Sequence, residues 1–226
     1  MKRIADDLFA LELDLPGGAP PYALGVFLMG GVLVDAGIRQ LAGPILERLR
    51  GRAVEAHALT HAHMDHQGSS HEVCEALGIP LWCPAGEADA VERGELLALV
   101  PDLPENREQI DVYAGPAHPV ARRLAEGDEV GGFVVLETPG HSPGHVSYWR
   151  ETDRMLVVGD ALRNWDSSSG EIGLAEPLDV HTVDPPRNRR SIRRLAALDP
   201  LVCCFGHGPA LADPDALHAF AAALPD

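Results

Sequence analysis

The chain has 226 residues, enough for one substantial core, and its 46% apolar and 23% charged content excludes a disordered or fibrous protein. A formal net charge of −16 disfavours nucleic acid and anionic membranes as partners and favours a small-molecule substrate. The longest uncharged apolar stretch, Tyr22 to Val34, is too short to cross a bilayer, and the N-terminus turns acidic at Asp6-Asp7 without a signal-peptide core; the expectation is a cytoplasmic protein with no membrane partner.

In chain order, residues 24–29 and 32–35 read as a hairpin closed by Gly30-Gly31, whose lack of side chains suits a two-residue primed turn. Ile38 to Arg50 reads as a helix with Leu41, Ile45 and Leu49 on one stripe, stopped by Gly51. Residues 54–60 form a strand that delivers the run Thr60-His61-Ala62-His63-Met64-Asp65-His66-Gln67-Gly68 at its carboxyl end. His61 and His63, two apart in extended chain, project to one side, while Asp65 and His66 can turn toward a second point. Imidazole and carboxylate at this density suit two metal ions side by side. Ser69 and Glu72 have capping-box spacing, which starts a helix that ends at Gly78, and Ile79 to Cys83 is the next strand.

Residues 84–127 break this rhythm with Pro84, Pro101, Pro104, Pro116 and Pro119 and one helical piece near 87–99. The segment reads as an insertion covering the pocket, or as a plain connecting helix and loop; the first is adopted here. Strands then resume at 133–138, 145–150 and 155–159, followed by a helix over 187–198 and a strand at 201–205. The run Arg187, Arg189, Arg190, Arg193 and Arg194 reads as a solvated helix face rather than a phosphate site. Asp213 caps a last helix with Pro214 at its first position. The cysteines, Cys74, Cys83, Cys203 and Cys204, include no C-x-x-C pair, and the adjacent two read as buried strand thiols.

Three further ligand-type residues follow short apolar runs and sit beside glycine: His141 in Thr138-Pro139-Gly140-His141-Ser142-Pro143-Gly144-His145, Asp160 in Val157-Val158-Gly159-Asp160, and His207 in Phe205-Gly206-His207-Gly208. With Asp35 in Val32-Leu33-Val34-Asp35-Ala36-Gly37 and the His61/His63/Asp65/His66 cluster, this order resembles the metallo-β-lactamase superfamily over residues 32–208. The resemblance implies a four-layer αββα sandwich of two pseudo-duplicated halves, a single α/β domain over residues 1–226. It implies that His61, His63 and His141 hold one metal ion, that Asp65, His66 and His207 hold a second, and that Asp160 bridges them. Asp35 and His145 would orient these ligands. A donor set without thiolate suits zinc, iron or manganese, and two divalent ions, zinc first, are expected. Ions about 3.5–4 Å apart can share one hydroxide, with Asp65 as the catalytic proton carrier.

Asp160 and the Thr-Pro-Gly-His-Ser-Pro-Gly-His stretch are similar to glyoxalase II, yet little chain follows His207 to form that enzyme's glutathione-binding region. The expected activity is therefore hydrolysis of a small thioester, ester or lactone. Two alternatives are a mononuclear iron persulfide dioxygenase, using His61, His141 and Asp160 but with Cys in place of His145, and a non-catalytic metal-binding member of the fold. His57, His71, His118 and His218 read as surface or satisfied histidines, and His181 lies in a Pro-rich loop able to reach the pocket.

Overall fold

The computed structural model describes residues 1–225. Seven strands form the first sheet: β1 (Lys2–Arg3), β2 (Leu8–Ala10), β3 (Phe27–Met29), β4 (Val32–Val34), β5 (Ala56–Ala58), β6 (Leu81–Pro84) and β7 (Val120–Leu124), in spatial order of sequence. The pairings from β1 to β4 are antiparallel and those from β4 to β7 parallel. The second sheet holds β8 (Glu129–Val130), β9 (Phe133–Glu137), β10 (Val146–Arg150), β11 (Met155–Gly159) and β12 (Val202–Phe205), antiparallel except for β11 with β12.

Period-two alternation decides which side chains meet between the sheets. Val32 and Val34 point inward against Phe133, Val135, Tyr148 and Val157, while Leu33 points outward. On the outer face of the first sheet, α1 (Ala42–Leu49) and α3 (Ser70–Leu77) bury Ile45, Leu49 and Val73. On the outer face of the second, α6 (Pro185–Ala196) and α7 (Pro214–Ala223) bury Ile192, Leu195, Leu217 and Ala221. The layers are therefore helix, sheet, sheet, helix, as expected. Adjacent Cys203 and Cys204 fall on opposite faces of β12, one under the helices and one between the sheets, and all four thiols are buried and unpaired.

Most elements follow the sequence reading. Gly30 and Gly31 both take positive φ, 53° and 86°, as a primed hairpin turn requires. Asp213 accepts from Ala216 N–H at 3.0 Å and caps α7. Three arginines of α6 meet acidic or carbonyl partners: Arg189 reaches Glu176 at 2.7 Å, Arg193 reaches Leu224 O at 2.9 Å and Arg194 reaches Glu137 O at 2.7 Å. Three details differ. The helix expected from Ile38 begins at Ala42, after a 3-10 turn. Ser69 precedes α3 but does not cap it: its backbone, at φ −99° and ψ 6°, is not in the extended cap conformation, and its hydroxyl is turned to donate to Ile38 O at 2.7 Å. Residues 84–127 are partly integral to the first sheet, since they supply its edge strand β7 along with α4 (Ala88–Arg93) and α5 (Pro104–Tyr113). No helix among the described residues is long and apolar enough to cross a membrane.

Candidate metal centre

Four strands end at one edge of the sandwich and deliver polar side chains there. Asp35 follows β4, and His61 and His63 follow β5. Asp160 follows β11, and His207 follows β12. A single helical turn, α2 (Met64–Gln67), turns Asp65 and His66 inward, and the loop between β9 and β10 brings His141. The ligand atoms fall into three groups that could each hold a cation: His61, His63 and His141; His61, His66 and Asp160; and Asp65, His66 and His207. Within each group the atoms lie within 4.8 Å of one another. Asp160 stands between the clusters, with Oδ2 3.0 Å from His207 Nε2 and 3.7 Å from His141 Nε2, and Oδ1 3.4 Å from His66 Nε2.

Unpartnered atoms mark this centre. Among the described residues, six buried side-chain nitrogens and oxygens lack a hydrogen-bond partner, and four are His61 Nε2, His66 Nε2, His141 Nε2 and Asp160 Oδ1. A fold does not leave such groups converging on one point without a compensating partner, because each costs about 1–3 kcal/mol. All four are good donors to a divalent cation, so the residues fit one.

The outer nitrogen of each imidazole is engaged, which leaves the inner one aimed at the centre. His63 Nε2–H donates to Leu99 O at 3.0 Å and His207 Nδ1–H donates to Ala23 O at 2.6 Å. Thr182 donates its hydroxyl to Leu178 O, so it accepts from His141 Nδ1–H, 3.2 Å away. Asp35 serves two imidazoles. Its Oδ2 accepts from His66 Nδ1–H at 2.9 Å and from the Thr60 hydroxyl at 2.8 Å, and that hydroxyl accepts from His61 Nδ1–H at 3.1 Å. Its Oδ1 accepts from Thr60 N–H at 2.8 Å. His145 Nε2 accepts from Asp160 N–H at 2.9 Å, so its proton sits on Nδ1 and faces Thr138 Oγ1 at 2.8 Å. Asp35 and His145 thus each hydrogen-bond a residue of the candidate donor set, His66 and Asp160 respectively.

Electrostatics separate the two clusters. Burial, reinforced by neighbouring imidazoles, pushes His61 and His141 well below the usual histidine range; burial takes His63 to about 4 and His145 to about 3. These rings are neutral, as a metal ligand must be. Burial also opposes charge on His66 and His207, but the facing carboxylates win: Asp160 leads for both, with Asp35 and Asp65 behind it for His66 and Asp65 for His207. His66 is raised well above its ordinary value and His207 to about 10. Asp65 and Asp160 resist their own burial through the same pairings and are lowered.

Glu87 escaped the sequence reading. It is fully buried at the start of α4 and ties the two ligand loops together. Its Oε2 accepts from Ala62 N–H at 2.6 Å, between His61 and His63, and its Oε1 accepts from Gly144 N–H at 3.0 Å and from the Ser142 hydroxyl. Burial raises its carboxyl against the pull of these donors. One glutamate in an acidic chain carries no local signal of this role. His57, by contrast, is a satisfied core histidine, held by Leu33 O at 3.1 Å and Ser70 Oγ at 2.8 Å.

The centre opens into a cleft of about 500 Å³, with His63, Asp65, His141, Asp160 and His207 on its lining. Segment 84–127 contributes Gln109 and Tyr113 from α5, and His181 also lines the cleft while its Nδ1 meets Asn106 Oδ1 at 2.7 Å.

This arrangement has relatives. Residues 29–207 match the family model of the metallo-beta-lactamase superfamily. A probable metallo-hydrolase, YflN of Bacillus subtilis, is 30% identical over 199 residues, covering 78% of this chain and 75% of its own. A hydroxyacylglutathione hydrolase of Bdellovibrio bacteriovorus is 33% identical over 138 residues, 58% of this chain and 43% of that protein. The crystal structure of TTHA1623 in a di-iron-bound form superposes with a TM-score of 0.62 at 30% identity, over 91% of this chain and 88% of that one. With the family model spanning both ligand-bearing halves from β3 to His207, the chain belongs to the metallo-beta-lactamase superfamily.

Proposed function

We propose that this protein is a metal-dependent hydrolase of small acyl compounds, a thioester, ester or lactone, working with two divalent cations. The carrying observation is the convergence of four unpartnered buried donor atoms, on His61, His66, His141 and Asp160, the last two of these residues lining an open cleft. His61, His63 and His141 would hold one ion and Asp65, His66 and His207 the other, with Asp160 between them. Zinc is the first expectation; iron suits the same donors and is the metal bound in TTHA1623, and manganese also suits them. When bound, such ions supply a water that ionises near neutral pH and positive charge for the oxyanion of acyl transfer.

The chain's own residues supply the rest. Asp65 is the most exposed carboxylate of the set, 28% open on its side chain, and lines the cleft. Its Oδ2 lies 3.3 Å from His207 Nε2. The other oxygen takes the proton of the attacking water and returns it to the leaving oxygen or sulfur. The Leu99, Ala23 and Thr182 oxygens and Asp35 keep the imidazoles in one tautomer throughout. Segment 84–127 reaches the cleft through Gln109 and Tyr113, and on this reading it helps to select what enters. Similarity to hydroxyacylglutathione hydrolases supports an acyl substrate, although this chain spans under half of the Bdellovibrio protein.

The test pairs metal analysis of purified protein with thioester, lactone and β-lactam substrates under anaerobic conditions, beside oxygen uptake with glutathione persulfide. Two metal equivalents and oxygen-independent acyl hydrolysis are expected. One iron per chain with oxygen uptake and no hydrolysis would replace this reading with the dioxygenase one.

A further inference from the structure

We infer that the substrate carries an uncharged hydrocarbon chain or ring beside its reacting carbonyl, so that this hydrolase prefers apolar acyl compounds to charged thioesters. The inference rests on the hydrolase reading and adds the substrate class. The first observation is the cleft wall. Leu24, Ile38, Met64, Tyr113, Trp165 and Leu178 line it, drawn from five separate segments. Trp165 is braced edge-on by Tyr22, with ring centroids 6.1 Å apart, so this apolar surface is built rather than incidental. The cleft volume, about 500 Å³, lies within the range for pockets that enclose a small organic ligand.

The second observation is charge. Arg163 is the only lysine or arginine on the lining among the described residues. Its Nε donates to Glu176 O at 3.0 Å, and its Nη1 donates to Trp165 O at 2.8 Å and lies 3.6 Å from Asp166. Lys2, the only lysine in the sequence, does not line the cleft. Away from the cations that Asp65 and Asp160 would hold, the lining offers only Arg163, so carboxylates on a remote thiol part would lose solvation there without a free cation in return. Gln109 and Ser167 offer neutral hydrogen bonds enough for one ester or amide group.

The third observation is the mouth. Of the eight exposed large apolar side chains among the described residues, four lie in one stretch after Trp165: Ile172, Leu178, Val180 and Val183. Leu178 is both 44% exposed and part of the lining, so the apolar surface runs from the cleft to the outside. A hydrocarbon chain leaving the cleft would meet Leu178 at its mouth.

The test uses metal-loaded enzyme with p-nitrophenyl acetate, butyrate, hexanoate and octanoate, beside lactoylglutathione. kcat/KM is expected to rise about fourfold per methylene up to hexanoate, with lactoylglutathione slower than the butyrate ester. Leu178→Asp should lower hexanoate turnover more than acetate turnover. Binding gives a second readout: hexanoate should quench Trp165 fluorescence, a signal lost in Trp165→Phe, and bind at least tenfold tighter than the dianion adipate. A flat chain-length series, a preference for lactoylglutathione, or adipate binding as tightly as hexanoate would overturn the inference. Failure to turn over any acyl compound would sink the hydrolase reading, and the hexanoate–adipate comparison would then decide this one alone.

Discussion

Gly206→Ala is a sharp probe of the centre. Gly206 joins β12 to His207, and a methyl group there would stand 1.9 Å from Asp160 Oδ1, 2.7 Å from His66 Cε1 and 3.1 Å from Asp160 Cγ. Its φ is outside the left-handed region, so alanine meets no backbone strain and the effect is steric. The backbone cannot easily retreat, because Gly206 N–H donates to Gly159 O at 2.9 Å and Gly25 N–H donates to Gly206 O at 2.6 Å. The Asp160 carboxylate must therefore move, from 1.9 Å to the 3.4 Å at which ordinary contact begins, or about 1.5 Å. Metal–ligand distances tolerate only about 0.2 Å. Losing Asp160 and disturbing His66 should weaken metal binding by about a hundredfold or more, with about 1–3 kcal/mol of overpacking cost to the chelated protein. Metal retained after dialysis against a graded chelator, set beside thermal melts, measures both. A Gly206→Ala protein that keeps two ions at wild-type affinity would refute this account of the centre.

Four further outcomes are expected. Asp35→Asn either sets an amide N–H₂ against the His66 and Thr60 donors, shifting the His66 tautomer, or sets it against Thr60 N–H, displacing the loop, and removes the charge in both cases; metal affinity should fall about 10–100-fold, and unchanged affinity would contradict the role. Asp65→Asn should lose most turnover with the fold intact by circular dichroism, and near-normal rates at matched metal content would remove its proton-carrying part. His66 and His207 hold protons at neutral pH because their pKa values are raised, the latter to about 10, and a cation must displace both; affinity should fall as pH drops and rise toward pH 10, and buffer-dependent calorimetry showing no proton release at pH 7 would refute this. Burial pushes the Cys74 and Cys203 thiols up to about 12, so the native protein should resist Ellman's reagent at pH 8 and expose four thiols only in denaturant; rapid native labelling would contradict the packing.

The candidate ligands stood out in the sequence by the density of the His61-to-His66 run and, for Val157-Val158-Gly159-Asp160 and Phe205-Gly206-His207, by an apolar run and a glycine at a strand end. Asp35 was legible for the same reason. Other parts carry no such mark. Glu87 takes its importance from three donors contributed by loops 25 and more residues away, and nothing beside it in the chain reports them. Strand β7, Val-Ala-Arg-Arg-Leu, is an edge strand with two half-exposed arginines and reads as loop until Trp82 is seen beneath Arg122, 5.1 Å from its ring. Ser69 has the right spacing to cap a helix, but Ile38 O, distant in sequence, takes its proton. The N-terminal wall of the cleft, including Leu24, depends on how residues before β3 lie across the site.

Each candidate metal position draws two donors from the first half of the chain and one from the second: His61 and His63 with His141, and Asp65 and His66 with His207. Ions held there would rivet the two sheets together at one edge, in a chain whose four thiols form no covalent cross-link. By mass action, free metal at a hundred times its dissociation constant stabilises the folded state by about 2.7 kcal/mol per site. That share of stability is set by the surroundings rather than by the sequence. Scarcity of the ion would first loosen the seam between the halves, where the cleft opens, so the melting temperature becomes a gauge of how much metal the protein's environment supplies.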